Sequence, residues 1–276
     1  MWHITDRCPL SCPYCFATKT GQDASLSRLG ELVEMCGVLG IQKIDLAGGE
    51  PLVFSGLRDA ALALHDAGIA LTLTTSGFGT ESNVTWLLQN ASVFARIIIS
   101  VDGPVPAAHD LLRRMPGSFE SLASLISRLQ AKGYDRIRVN TVLVAPVLPR
   151  YLELVQTISD LKPIEWCLIQ PHPANKKPTF ELYSLRDESF IKGVSQIATV
   201  LEESGSPIRL LRRTVSDYSG YWVLYPDGML RHHSNTEEDQ EAFAFRRDRL
   251  AAISTAVRRL GVTVPTSGSG HSVSKE

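Results

Sequence analysis

Long hydrophobic runs are missing from this chain. No stretch reaches the ~18 consecutive apolar residues of a membrane-spanning helix. Neither sign of charge is in excess. With 28 Lys and Arg against 29 Asp and Glu, a net charge of −1 gives no bulk electrostatic case for nucleic acid or an anionic membrane as partner. Cysteine is scarce, five in 276 residues, and the count is odd, which argues against a disulfide framework. The opening Met1-Trp2-His3-Ile4-Thr5 has neither the basic region nor the apolar core of a secretory signal, so a reducing cytoplasm is expected. What remains is a chain that is 44% hydrophobic, enough for one large domain or one domain with a small addition.

Three of the five cysteines fall in a single loop, Cys8-Pro-Leu-Ser-Cys12-Pro-Tyr14-Cys15. Three thiolates in a C-x3-C-x2-C run hold three irons of a [4Fe–4S] cube and leave the fourth without a protein ligand. An open iron is a place for a small molecule to bind, as an open position marks a catalytic zinc. A zinc site would want four ligands, and Cys36 and Cys167 form no second pair. A redox pair of Cys12 and Cys15 would not need Cys8. Cys36 lies on the apolar face of a predicted helix and reads as a small core residue.

Apolar periodicity predicts strands over Trp2–Thr5, Lys43–Ala47, Leu71–Thr75, Ile97–Val101, Ile137–Val144 and Ile164–Gln170. Helices are predicted over Leu26–Leu39, Leu57–Ala67, Val84–Asn90, Phe119–Ala131, Tyr151–Leu161 and Glu188–Glu203. This alternation predicts an α/β protein, a partial (βα)6 TIM-type barrel with a small C-terminal α+β extension. The barrel is expected over 1–205, the extension over 206–262, and a flexible Ser/Gly-rich tail over 263–276. In the extension, Ile208–Arg213 and Tyr221–Tyr225 read as strands, Pro226-Asp227-Gly228 as a turn and Arg249–Leu260 as a surface helix. Glu237 to Glu241 reads as a solvated acidic run.

Sites on such barrels lie at the C-terminal strand ends. The distinctive short motifs all fall there: the cysteine loop, Gly48-Gly49-Glu50-Pro51, Thr75-Ser76-Gly77, Ser100-Val101-Asp102-Gly103, Asn140-Thr141 and Gln170-Pro171-His172.

The cysteine run with Tyr14 before its last member, followed by Gly48-Gly49-Glu50-Pro51, resembles the radical S-adenosylmethionine (SAM) superfamily over the first ~170 residues. The resemblance implies one [4Fe–4S] cluster on Cys8, Cys12 and Cys15, and SAM chelated at the open iron. It implies reductive cleavage of SAM to a 5′-deoxyadenosyl radical that takes hydrogen from substrate. An external electron donor such as flavodoxin or ferredoxin is implied, as is a monomer. Carried onto this sequence, the SAM contacts would be Gly48 and Gly49 through close backbone approach, Glu50 on the methionyl ammonium, and Ser76 on the carboxylate. Ser100, Asp102 and Asn140 would meet the ribose, Tyr14 would face the adenine, and Arg113 would be a second carboxylate partner.

Within the superfamily the chain is similar to viperin-like enzymes. Cys15-Phe16-Ala17-Thr18, Asn140-Thr141-Val142, Pro163-x2-Trp166-x3-Gln170 and Gly220-Tyr221-Trp222-Val223-Leu224 carry that likeness. It implies a nucleoside triphosphate as substrate and basic residues around it. Lys19, Lys176 and Lys177 are candidates, with His172 and Tyr221 beside them, and Arg212 and Arg213 as further sources of charge. The basic residues that flank the strand-six tryptophan in that group are here Glu165 and Cys167. A glutamate beside a triphosphate would cost binding. His232 and His233 read as surface histidines, with a role in the pocket as the alternative. No catalytic residue is assigned; Tyr218, Tyr221 and Cys167 are hydrogen-atom donors by chemistry alone and read as core. Two other functions stay open: a radical SAM enzyme acting on a peptide or natural-product intermediate, for which this length leaves little room, and a non-enzymatic iron–sulfur or zinc module.

Overall fold

The computed structural model describes residues 1–17, 19–173, 179–218, 220–233 and 240–260. Seven strands run parallel, each hydrogen-bonded to the next: β1 (Trp2–Thr5), β2 (Lys43–Gly48), β3 (Ala70–Thr75), β4 (Phe94–Ser100), β5 (Ile137–Val142), β6 (Glu165–Ile169) and β7 (Arg209–Arg213). Helices fill the crossovers: α1 (Leu29–Val38), α2 (Leu57–Asp66), α3 (Glu81–Gln89), α4 (Pro106–Arg113), α5 (Ser118–Ala131), α6 (Tyr151–Leu161) and α7 (Asp187–Glu203). On the far side of β1 the sheet continues through β8 (Tyr221–Leu224), β9 (Met229–His233) and β10 (Ala242–Ala244), with α8 (Leu250–Leu260) following. The strand order is β10-β9-β8-β1-β2-β3-β4-β5-β6-β7, so the sheet has two edges, β7 and β10, and the barrel is partial.

The parallel strands read as apolar runs because helices cover their outer faces. Ile97 and Ile99 of β4, Leu46 of β2, Leu73 of β3 and Trp166 of β6 are fully buried. In α5 the buried Leu122, Leu125, Ile126 and Leu129 recur at helical spacing, which turns one stripe to the sheet. Asp110 caps the turn before it: one oxygen accepts from the Gly117 N–H at 2.7 Å and the other from the Phe119 N–H at 2.8 Å.

The periodicity misses α4, β9 and β10. Only His109 and Leu112 of α4 are buried, so a histidine stands where an apolar signal would be. β10 has three residues, none of them buried. Both missed strands are antiparallel additions, with β9 pairing β8 and β10 pairing β9.

Candidate active site

The cysteine loop leaves β1 at Thr5 and is tied down on three sides. Its return is stitched by the Asp6 N–H to the Gln22 carbonyl (2.7 Å) and by Thr5 Oγ1 to Asp23 (2.6 Å). The end of β2 zips onto it: the Gly49 N–H donates to the Thr5 carbonyl at 2.7 Å and the Glu50 N–H to the Arg7 carbonyl at 2.8 Å. That approach explains both glycines. A Cβ on Gly48 would lie 2.2 Å from the Thr5 carbonyl oxygen, and one on Gly49 2.2 Å from that of Arg7. Gly48 also needs φ +139°. The third tie comes from α4, whose Arg113 carbonyl accepts the Ser11 N–H at 3.1 Å. Leu10 and Tyr14 are buried and anchor the loop from within.

All three thiols line one cavity of about 230 Å³ at the C-terminal ends of the parallel strands. None is in a disulfide. Burial pushes the Cys8 thiol up to about 11, against the pull of nearby Lys19. Cys12 is likewise raised by burial, with Arg113 opposing. Lys19 donates to the Leu10 carbonyl and lines the same cavity. Among the described residues no three His, Cys, Asp or Glu side chains converge as ligands of a single metal ion. A cube asks for something else, one thiolate at each of three corners.

Around these thiols the cavity is lined by Gly48, Gly49, Ser76, Ser100, Asp102, Asn140 and Arg113. Ser100, Asn140 and Cys167 sit side by side in register on β4, β5 and β6. The Asn140 Oδ1 is buried and has no hydrogen-bond partner among the described residues. A buried acceptor facing a cavity is completed by a ligand donor.

A radical SAM superfamily model matches residues 2–158. The chain belongs to the radical SAM superfamily. Membership implies a [4Fe–4S] cluster and SAM, and the three unbridged cysteines of the loop and the orphan Asn140 oxygen fit them. Among curated relatives, an S-adenosylmethionine-dependent nucleotide dehydratase of Flammeovirga pacifica is 25% identical over 184 residues, covering 62% of this chain and 62% of that protein. An AdoMet-dependent heme synthase of Methanosarcina barkeri is 27% identical over 146 residues, 51% of this chain and 41% of that one. A GTP 3′,8-cyclase of Peptoclostridium acidaminophilum is 34% identical over 149 residues, 51% and 45% of the two chains. The match thus spans about two-fifths to three-fifths of these relatives' own length. Streptococcus suis SuiB bound to S-adenosylmethionine shares the fold, with a TM-score of 0.74 at 14% identity over 92% of this chain and 64% of that one.

In this radical SAM chain several site residues engage one another. Glu50 is fully buried and outside the cavity lining. Its Oε1 accepts from the Leu52 N–H (2.9 Å) and Thr75 Oγ1 (2.5 Å), its Oε2 from the Ser76 N–H (2.6 Å) and Ser76 Oγ (2.5 Å). Burial raises its pKa, and those hydrogen bonds pull the other way. Asp102 is buried as well: its Oδ2 takes Tyr14 OH at 2.6 Å and Arg113 at 2.8 Å, and its Oδ1 takes the Val142 N–H at 2.8 Å. Arg113 also reaches Cys12 Sγ at 3.7 Å. Burial works against the Arg113 charge, but Asp102 and Cys12 outweigh it and hold the guanidinium above its ordinary pKa.

The cavity is also lined by His172, Arg213, Tyr218, Tyr221, Cys167 and Arg138, and Tyr218 packs against Phe16, which follows the cysteine loop, with ring centroids 5.9 Å apart. Arg213 lies 4.7 Å over the Tyr218 ring and forms no ion pair among the described residues. Arg212, its neighbour, does not line the cavity. Burial pushes the Cys167 thiol up to about 11. Lys176 and Lys177 lie outside the described residues.

Two expectations from sequence are corrected here. Glu165 stands at the first position of β6, outside the cavity lining. There Arg138 (2.5 Å), Arg96 (3.2 Å) and Arg209 surround its carboxylate. Its charge is thus more than matched and does not oppose an anion. His232 and His233 are not surface residues: His232 is 5% exposed, and His233 stacks on Tyr221 with ring centroids 5.0 Å apart while sharing a 2.8 Å hydrogen bond with Tyr225. Arg138 was missed as a cavity residue because its interior face is set by strand register, not by any motif.

Proposed function

We propose that this protein is a radical SAM enzyme that holds one [4Fe–4S] cluster on Cys8, Cys12 and Cys15, binds SAM beside it, and takes hydrogen from an anionic small molecule of nucleotide type. The observation that carries the reading is the opening of three thiols of one loop, none of them in a disulfide, into the cavity that Ser76, Ser100 and the orphan Asn140 oxygen also line. When bound, the cluster supplies the electron that cleaves the SAM sulfonium bond to give the hydrogen-abstracting radical. That electron comes from an external one-electron reductant.

The chain's own residues have distinct tasks. Gly48 and Gly49 let the end of β2 lie against the loop backbone, and Glu50 fixes the Ser76 N–H and hydroxyl at the end of β3. Asn140 Oδ1 and Ser100 offer an acceptor and a hydroxyl to the ribose of SAM. In the same cavity Arg213 keeps its charge: burial works against it, but Tyr218, Cys167, Tyr221 and Asp217 outweigh that and hold the guanidinium above its ordinary pKa. A phosphate or carboxylate of the substrate would pair with it bidentately. Tyr218 and Tyr221 offer aromatic faces beside it. Likeness to a nucleotide dehydratase and a GTP cyclase supports a nucleotide.

The test is anaerobic turnover of reconstituted, dithionite-reduced protein with SAM and a panel of nucleotides, following 5′-deoxyadenosine by chromatography. A sharp rise with one nucleotide is expected. A slow background rate indifferent to every nucleotide would sink the substrate assignment, and no deoxyadenosine from fully loaded protein would sink the enzyme.

A further inference from the structure

Tyr14, Asp102 and Arg113 form a closed, buried relay that ends on a cysteine thiol. Tyr14 OH donates to Asp102 Oδ2 at 2.6 Å, Arg113 bridges to the same oxygen at 2.8 Å, and its other terminal nitrogen reaches Cys12 Sγ at 3.7 Å. Asp102 is fully buried and Tyr14 is 5% exposed. The backbone is locked too. Arg113 closes α4, is followed by Arg114 in the left-handed region, and accepts the Ser11 N–H through its carbonyl. His109 accepts the Asp102 N–H at 3.2 Å, and burial followed by Arg113 keeps that ring neutral. The relay therefore holds one cation and one anion in fixed order from Cys12, cation nearer.

We infer that Arg113 and Asp102 form a charge pair of opposite effect that sets the reduction potential of the cluster held by Cys12. The inference rests on the reading of Cys12 as a cluster ligand. An electron delivered by the external reductant lowers the charge beside Cys12 by one, and no bond forms or breaks. A cation in hydrogen-bond range of the ligating sulfur favours the electron-rich state, and the anion behind it offsets part of that. The site is largely out of water, so neither charge is screened away. Asp102 acts from one link further out and should have the smaller effect.

The experiment is an EPR-monitored redox titration of the reconstituted holoprotein without SAM, with iron content measured for each variant. Arg113→Gln should shift the midpoint to more negative potential. Asp102→Asn should shift it to more positive potential, by less. Tyr14→Phe, which changes no charge, should move it least, and Arg113→Lys should restore the parent potential. If Arg113→Gln fails to take up iron, Asp102→Asn and Arg113→Lys still decide the matter. A purely structural role moves both charge variants the same way, or lowers iron content without moving the potential, and either result overturns the inference. A parent protein that binds no cluster would overturn the reading of the cysteine loop, and this inference with it. A loaded parent whose potential ignores both charges overturns this inference alone.

Discussion

Replacing Glu50 by glutamine should unlatch the strand ends before any cofactor is present. Four donors converge on its two oxygens: two backbone N–H groups (Leu52, Ser76) and two hydroxyls (Thr75, Ser76). An ionised carboxylate has acceptor sites for all four; an amide has one oxygen and two N–H donors. Either orientation of the amide sets its NH2 against one backbone N–H and one hydroxyl. The hydroxyl can rotate to accept, but the N–H cannot, so one buried donor is orphaned at about 1–3 kcal/mol. Turning the remaining hydrogen bonds from charged to neutral ones adds a similar amount, and the relief of burying a neutral side chain offsets part of it. The expected net cost is about 2–4 kcal/mol. With an m-value of about 3 kcal/mol/M, the urea midpoint of the apoprotein should fall by roughly 1 M. Because no SAM is present, the loss cannot come from a missing SAM contact. An apoprotein of Glu50→Gln that unfolds within about 0.5 kcal/mol of the parent would refute the latch and leave Glu50 to act on SAM alone.

Three other outcomes follow from the same geometry. Arg213→Gln should raise KM for an anionic substrate roughly 30-fold, about 2 kcal/mol, with a smaller effect on kcat and a flatter salt dependence; steady-state kinetics at low and high salt check this, and an unchanged KM removes Arg213 from the substrate. Glu165→Gln leaves Arg96, Arg138 and Arg209 facing one another without their counter-charge and should cost about 3–5 kcal/mol in urea unfolding; a loss under 1 kcal/mol, or about that, would show the four groups to be solvated. Acid should destabilise the protein through His109, whose pKa burial lowers from 6.5 to about 3. Between those values the unfolded chain binds the extra proton, so stability falls as pH drops below 6.5, by about 2 kcal/mol at pH 5, and gains nothing from this group above it. His109→Asn should flatten the pH profile of unfolding by one proton, and an unaltered slope would contradict the assignment.

The parallel array was legible because its strands are short apolar runs punctuated by glycine, and β1 begins and ends where the apolar pattern does. The strand-end motifs were legible because a parallel barrel brings every strand end to one face. What the sequence hid is pairing across strands. Arg138, Glu165 and Arg209 are neighbours only through the registers of β5, β6 and β7. Glu165 therefore looked like an obstacle to an anion when read along its own strand. Asp102 and Arg113 are joined by the return of α4, a helix whose buried histidine masks its period. Glu50 sits in a motif that implies a ligand contact, yet nothing in a motif says how many of a carboxylate's acceptor sites the neighbouring backbone already uses. The histidines of β9 were hidden by adjacency: alternation on a strand sends His232 and His233 to opposite faces, and both faces are covered.

The most direct test of the central claim is the EPR spectrum of the anaerobically reconstituted, reduced protein before and after SAM is added, with Cys12→Ala alongside. Iron and sulfide for one cube per chain are expected, with a signal that changes when SAM binds and that is lost in Cys12→Ala. A folded parent protein that takes up no cluster, or a cluster whose spectrum SAM leaves untouched, would contradict it.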